Sequence, residues 1–279
     1  MVSFVSVVVH MPRIYPALDV AGGETADLLL AILDDFSPTA IEERDGSVRA
    51  FFTSAGSRDA ARAAVSDRYR AEPIDVSDED WARRSQENLQ PVTVGRLTIV
   101  PNPESALRTP HSALIVIRPS MGFGTGHHAT TRLCLEALQE INVAGKRVLD
   151  VGTGSGVLAI AAARLGAADA LGIDLDEDAI QSARENLTLN PEAARVRFAL
   201  VDLTTSPLPA ADVVLANLTG ALLVRTASTL RDAAASDGVM IVSGVLEDER
   251  DAVVAAFQPA KILWQRQEDE WAAVMMRKS

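Results

Sequence analysis

From about residue 148 onward, short apolar runs alternate with longer segments whose apolar side chains recur at three- and four-residue spacing. The runs at 148–151, 168–173, 195–201, 212–216 and 239–242 predict buried strands. The segments at 157–165, 177–189, 221–233 and 248–256 predict the helices between them. Residues 261–277 add two further strand-like runs with no helix separating them. Strands alternating with helices predict an α/β fold with a doubly wound, mostly parallel sheet of seven strands, and the last two runs predict its antiparallel edge.

The first part of the chain has a different rhythm. Residues 3–10 alternate and are rich in valine, which predicts a strand, and 24–36 predict a helix with Leu28, Leu29, Ile32 and Leu33 on one face. Two short β-like runs, 40–43 and 47–53, flank Arg44-Asp45-Gly46, a hairpin signal. Ser57 is the expected cap of a helix at 58–69, and 72–76 is the expected closing strand. The order βαββαβ is that of a small α+β ferredoxin-like domain, and by itself it carries no function.

Residues 78–89 are charged and helical in pattern, with Trp81 as their one large apolar residue, and Pro91 ends them. The expected organisation is a ferredoxin-like domain over 1–77, a linker helix over 78–90 and a second domain over 91–279. That second domain opens with strand-like pieces at 92–100 and 112–117, separated by Pro101, Pro103 and Pro110. A glycine-rich polar segment, 121–131, then leads into a helix ending near Leu138 and is expected to form a lid or wall.

Composition narrows the classes. The 279 residues are 48% hydrophobic and 23% charged, as in an ordinary globular protein. No apolar run approaches the roughly 20 residues of a membrane helix, and residues 1–12 lack the basic head of a leader, so a cytoplasmic location is expected. The net charge of −12 argues against binding nucleic acid and is compatible with a basic protein substrate. The single cysteine, Cys134, lies between Leu133 and Leu135 and reads as a buried small side chain. His127 and His128 are adjacent and share no helix face, with only His10 and His111 elsewhere, so no metal site is expected. Trp81 and Trp271 read as packing residues, and Asp75, Asp78, Glu79 and Asp80 as a solvated helix start.

The candidate chemistry gathers at strand ends. The run Asp150-Val151-Gly152-Thr153-Gly154-Ser155-Gly156 is a strand breaking sharply into a helix, and later strands end at Asp174, Asp202 and Asn217. Ligands of open α/β sheets bind at such carboxyl ends near the switch point. Gly152 and Gly154 let the backbone approach a ligand, and Asp174 is placed to accept hydrogen bonds from ribose hydroxyls. Asp202 is either an adenine contact or a helix cap. The third glycine comes too early for a dinucleotide fingerprint, Val157 standing in its place, and no P-loop lysine is present. Asp150 disfavours a pyrophosphate and attracts a cation, so S-adenosyl-L-methionine suits the turn better than NAD.

The runs Phe123-Gly124-Thr125-Gly126-His127-His128-Ala129-Thr130-Thr131, Asp150 through Gly156, Gly172-Ile173-Asp174-Leu175-Asp176 and Ala216-Asn217-Leu218 resemble the PrmA family, which methylates ribosomal protein L11. Asp80-Trp81, Gln90-Pro91-Val92, residues 96–101 and Glu270-Trp271 extend the resemblance over residues 78–279. It implies a Rossmann-like class I methyltransferase domain behind a substrate-recognition domain. It further implies that Thr131, Gly152, Asp174 and Asn217 contact S-adenosyl-L-methionine. The family's lid reads G-T-G-T-H-P-T-T, whereas this chain has His127 for the threonine and Ala129 for the proline, while His128 keeps the family histidine. Loss of the proline loosens the loop.

Methyl transfer to an amine is an in-line displacement that asks chiefly for alignment. Asn217 is the expected positioning group for the amine, with Thr125 and His128 as lid contacts and Asp150, Gly154 and Asp202 completing the cofactor cradle. The expected activity is that of a monomeric protein-lysine N-methyltransferase, with an α-amino group as a further acceptor. The alternatives are a relative acting on another protein or a small amine, and a non-catalytic cofactor-binding assembly factor.

Overall fold

The structure, a computed structural model, describes residues 14–21, 29, 32–33, 36, 38–44, 47–77, 89–106, 113–118 and 126–279. The chain divides into two compact units, residues 1–84 and 85–279.

In the first unit, strands β1 (Ile14–Ala21), β2 (Ala40–Arg44), β3 (Ser47–Phe51) and β4 (Ala71–Ser77) form an antiparallel sheet in the order β2-β3-β1-β4. Helix α1 (Ala55–Val65) connects β3 to β4. Leu29 and Leu33 are helical and fully buried, and with Leu18, Val20, Val48, Phe52 and Val65 they build the core. This is the ferredoxin-like arrangement, with two corrections to its parts.

The first strand of the sheet is Ile14–Ala21; the expected strand at 3–10 lies outside the described residues. Pro16, which lacks a backbone donor, sits inside β1 and hides its pattern. The cap of α1 is Ser54, whose hydroxyl accepts from the Ser57 amide at 3.1 Å, so the helix starts and stops earlier than 58–69. Most of 24–36, Asp45-Gly46 and the linker at 78–88 also lie outside the described residues. Arg44 pairs with Ser47 across that turn, as a hairpin requires.

In the second unit, seven strands lie in the order β10-β9-β8-β11-β12-β14-β13. They are β8 (Arg147–Val151), β9 (Asp169–Asp174), β10 (Val196–Leu200), β11 (Ala211–Asn217), β12 (Ala234–Leu246), β13 (Lys261–Glu268) and β14 (Trp271–Arg277). All pairs from β10 to β12 are parallel, and β14 and β13 form the antiparallel edge. Helices α2 (Ala129–Gln139), α3 (Val157–Arg164) and α4 (Glu177–Thr188) cover one face, and α5 (Gly220–Ala233) and α6 (Arg250–Ala256) cover the other.

Burial on both faces explains the near-continuous apolar runs. Val148, Val213 and Ile241 face α2 to α4, whereas their neighbours Leu149, Val214 and Val242 face α5 and α6. A smaller sheet, β5 (Val92–Val94), β6 (Leu97–Val100) and β7 (Ala113–Val116), precedes the main one. The run at 92–100 is therefore not one strand: Gly95, with φ +56°, and Arg96 turn it into a hairpin. Among the described residues no helix is long and apolar enough to cross a membrane.

β12 is far longer than the expected 239–242. Its start, Ala234 to Gly238, falls between the expected helix and strand and contains Asp237-Gly238, a pair common in turns; Ala234 pairs with Ala211 and Asp237 absorbs the bend at φ 59°. Its end carries a register shift at Gly244, φ +85°, where the chain passes over the carbonyl of Leu218. A Cβ on Gly244 would stand 2.4 Å from that oxygen. Gly244→Ala is therefore expected to cost at least about 2 kcal/mol in urea unfolding. Gly145→Ala, at φ +73° with nothing within 4 Å of the added carbon, is expected to cost about 1 kcal/mol from backbone strain alone. Equal losses in the two variants would contradict the close approach at Gly244.

Candidate functional site

The strand order reverses between β8 and β11, and the turn after β8 opens at that switch point. Three side-chain carboxylates and one carboxamide stand on the carboxyl ends of β8, β9, β10 and β11. They are Asp150, Asp174, Asp202 and Asn217.

Asp150 is 1% exposed and serves the turn itself. Its Oδ2 accepts from the Thr153 hydroxyl at 2.6 Å and from the Ala159 amide, in the first turn of α3, at 3.2 Å. Its Oδ1 is buried and has no hydrogen-bond partner among the described residues. Burial, opposed by the Thr153 and Ala159 bonds, pushes the carboxyl up to about 6.

The glycines follow from that brace. Gly152 turns the chain out of β8 at φ +71°, and its amide and that of Thr153 both donate to the Ile173 carbonyl of β9. A Cβ there would sit 2.4 Å from Leu218 Cδ2, so the end of β11 rests directly on the turn. Gly154 donates to Asp174 Oδ2 at 3.0 Å, and Asp176 donates to Asp174 Oδ1 at 3.0 Å. Asp174 is thereby fixed in place, with lone pairs remaining for a further donor. Asp176 caps α4 through the Asp178 amide.

Asp202 follows β10, next to Asp174 through the Val201 amide to Asp174 carbonyl bond of 2.8 Å. Its Oδ1 accepts the Thr204 hydroxyl and amide at 2.6 and 2.7 Å, which hold the carboxyl below its ordinary value. It closes a local turn. Asn217, half-buried at the end of β11, makes no side-chain hydrogen bond among the described residues.

α2 brings the remaining candidates. Thr131 is 2% exposed in its first turn, on the face of Cys134, which lies one turn on beside Ser243 and within electrostatic reach of Asp150. Burial pushes the Cys134 thiol far up, as befits a packing residue. His128 is the N-cap of α2: its Nδ1 pairs with the Thr130 hydroxyl at 2.8 Å, and its ring meets Trp271 edge-on at 4.9 Å. Those contacts are structural. His127 Nε2 pairs with the Gln90 carbonyl at 2.9 Å, and Arg132 joins the His127 carbonyl to Glu268. Thr125 lies outside the described residues.

The structure thus ties Asp150, Gly152, Gly154 and Asp174 into one hydrogen-bonded unit, with Asp202 beside it and Asn217 across Leu218. Thr153 and Leu218, members of the Asp150–Gly156 and Ala216–Leu218 runs to which the sequence assigned no side-chain role, complete the unit. The turn holds no basic side chain, and its acids and unpartnered buried carboxylate oxygen suit a cationic nucleoside better than a polyphosphate. No group of three or more His, Cys, Asp or Glu among the described residues could hold a metal ion.

The Asp150 carboxyl gives a pH signature. The folded chain holds its proton up to about pH 6, whereas the unfolded chain releases it near the ordinary value of 3.8. Its contribution to stability is therefore complete below that lower value and is lost as pH rises through about 6. Wild type is expected to lose unfolding free energy relative to Asp150→Asn between about pH 4 and 6, with a level difference above. Denaturant titrations across that range check it, and a constant difference would contradict the buried carboxyl.

A profile of the family described as Ribosomal protein L11 methyltransferase (PrmA) matches residues 34–279. The chain is 39% identical over 267 residues to the ribosomal protein L11 methyltransferase of Geobacter sulfurreducens, covering 88% of this chain and 86% of that protein. It is 45% identical over 176 residues to that of Deinococcus radiodurans, covering 63% and 62%. A solved ribosomal protein L11 methylase from Lactobacillus delbrueckii subsp. bulgaricus aligns with a TM-score of 0.60 and 26% identity, over 68% of this chain and 99% of its own. With that match along most of its length, and a parallel sheet opening into a glycine turn, the chain belongs to the ribosomal protein L11 methyltransferase (PrmA) family.

Proposed function

We propose that this protein transfers methyl groups from S-adenosyl-L-methionine to amino groups of ribosomal protein L11, on lysine side chains and on the α-amino group. The observation that carries the reading is the hydrogen-bonded unit of Asp150, Gly152, Gly154 and Asp174 at the switch point, in a chain of this family. Bound there, S-adenosyl-L-methionine supplies an electrophilic methyl group on a positively charged sulfur.

In this reading the backbone from Gly152 to Gly154 carries the ligand, the side-chain position of Gly152 being filled by Leu218, and Asp174 accepts from its ribose hydroxyls. Asp202 lies at the adenine end, Thr131 lines the wall formed by α2, and the negative charge of Asp150 favours the cationic portion. The Asn217 side-chain oxygen accepts from the acceptor amine and turns its lone pair toward the methyl carbon. The new N–C bond forms as the S–C bond breaks, and the amine proton leaves to solvent, so alignment of a neutral nitrogen is the chain's main contribution.

His128 acts by holding the start of α2 rather than by proton transfer, and Thr125 is proposed as a lid contact. The unit of residues 1–84 is proposed to recognise the substrate and residues 85–279 to hold the chemistry, in a cytoplasmic monomer. His127 and Ala129, which depart from the family's lid, favour a second reading with another protein acceptor.

Incubating the purified chain with methyl-labelled S-adenosyl-L-methionine and ribosomal proteins lacking the modification is expected to label L11. Label on a different protein would establish the second reading, and no label would overturn both. Asp174→Ala is expected to weaken S-adenosyl-L-methionine at least about tenfold in titration calorimetry, from the loss of charge-assisted hydrogen bonds. Asn217→Ala is expected to lower kcat about a hundredfold with cofactor affinity nearly unchanged. Near-wild-type behaviour of both variants would remove the assignment.

A further inference from the structure

Two asparagines that follow β9, one in the last turn of α4 and one two residues beyond it, lie almost wholly inside the protein. Asn186 is 1% exposed and Asn190 is 2% exposed, and a buried carboxamide is stable where its nitrogen and its oxygen each find a partner. Asn190 Nδ2 donates to the Val116 carbonyl at 2.8 Å and to the Asn186 carbonyl at 2.7 Å, and its Oδ1 accepts from the Val116 amide at 2.9 Å. It holds the end of β7. Asn186 does something different. Its Oδ1 accepts from the Arg118 amide, just beyond β7, at 2.9 Å, and its Nδ2 donates to the Ser155 carbonyl of the glycine turn at 2.9 Å.

Ser155 stands one residue before Gly156, the N-cap of α3, so its carbonyl lies outside the helical ladder, whose first bond runs from the Ile160 amide to the Gly156 carbonyl. The Ala159 amide, one of the donors a helix start leaves over, goes to Asp150 Oδ2. Asn186 donates to the Ser155 carbonyl, while the Gly156 amide donates to the Thr153 carbonyl at 2.9 Å. The Ser155–Gly156 peptide is therefore held at both ends. Helix α4 also presses on the turn: a Cβ on Gly156 would lie 3.1 Å from Ala183 Cβ, one helical turn before Asn186.

We propose that Asn186 is a positioning residue for cofactor binding: one carboxamide fixes the glycine turn and the backbone beyond β7 together, so that occupancy of the turn is felt at Arg118. The proposal rests on the reading of this turn as the S-adenosyl-L-methionine site. Asn190, equally buried just beyond the end of α4 and bonded to β7 but not to the turn, is its internal control.

The test uses the full chain as wild type, Asn186→Asp, Asn186→Ala and Asn190→Ala, with thermal midpoint, S-adenosyl-L-methionine Kd and acceptor-protein KM measured for each. Asn186→Asp keeps the acceptor for Arg118 and removes the donor to Ser155. Both Asn186 variants are expected to raise the S-adenosyl-L-methionine Kd about tenfold, with acceptor KM within about twofold of wild type. Asn190→Ala is expected to lower the thermal midpoint as much while leaving that Kd within about twofold. An unchanged Kd in the Asn186 variants, or an equal rise in Asn190→Ala, would overturn the proposal. Should neither Asn186 variant fold, amide exchange of the wild type decides. Saturating S-adenosyl-L-methionine is expected to slow exchange at Arg118, and unchanged exchange there would overturn the proposal. Failure of the underlying reading looks different, because wild type itself would then show no S-adenosyl-L-methionine binding.

Discussion

The second unit depends on one buried carboxylate at the point where a strand becomes a helix. Asp150 Oδ2 takes the Thr153 hydroxyl and the Ala159 amide, two groups that the tight turn would otherwise leave without partners. A carboxylate is well matched to this task, because the start of α3 presents donors and a partial positive charge. The cost is desolvation, visible in a carboxyl raised to about 6. A buried acid that remains poised near neutrality is worth retaining where its charge meets a cationic ligand.

The rest of the site follows from how the sheet is wound. Helices on both faces bury every central strand, and the reversal between β8 and β11 puts the turn after β8 at the switch point where ligands of open α/β sheets bind. Leu218 resting on Gly152 and the Gly244 bend beneath Leu218 draw the ends of β8, β11 and β12 together. Asp174 is locked by the Gly154 and Asp176 amides. The acids at these ends are thereby spaced along one edge, as an extended nucleoside requires.

Much of this was legible in the sequence because the main sheet obeys simple rules. Strands buried on both faces give apolar runs, so β8 to β11 were placed within a residue or two. Pattern failed where a local signal pointed the wrong way. Pro16 concealed β1, Asp237-Gly238 concealed the start of β12, and Ser57 resembled a cap although Ser54 makes the bond. Gly95 split a run that read as one strand. At the site, the motif residues stood out, whereas Asn186 did not. A polar residue inside an amphipathic helix reads as a solvated one until its partners, Ser155 and Arg118, are seen in three dimensions.

The central claim is that the turn from Asp150 to Gly156 holds S-adenosyl-L-methionine and that its geometry is set by the Asp150 brace. A crystal structure of the protein with S-adenosyl-L-homocysteine tests this most directly. The account predicts the ligand along Gly152 to Gly156, its ribose hydroxyls on Asp174, with the Asp150 bonds to Thr153 and Ala159 intact. A ligand bound away from the turn, or one whose binding breaks those two bonds, would contradict it.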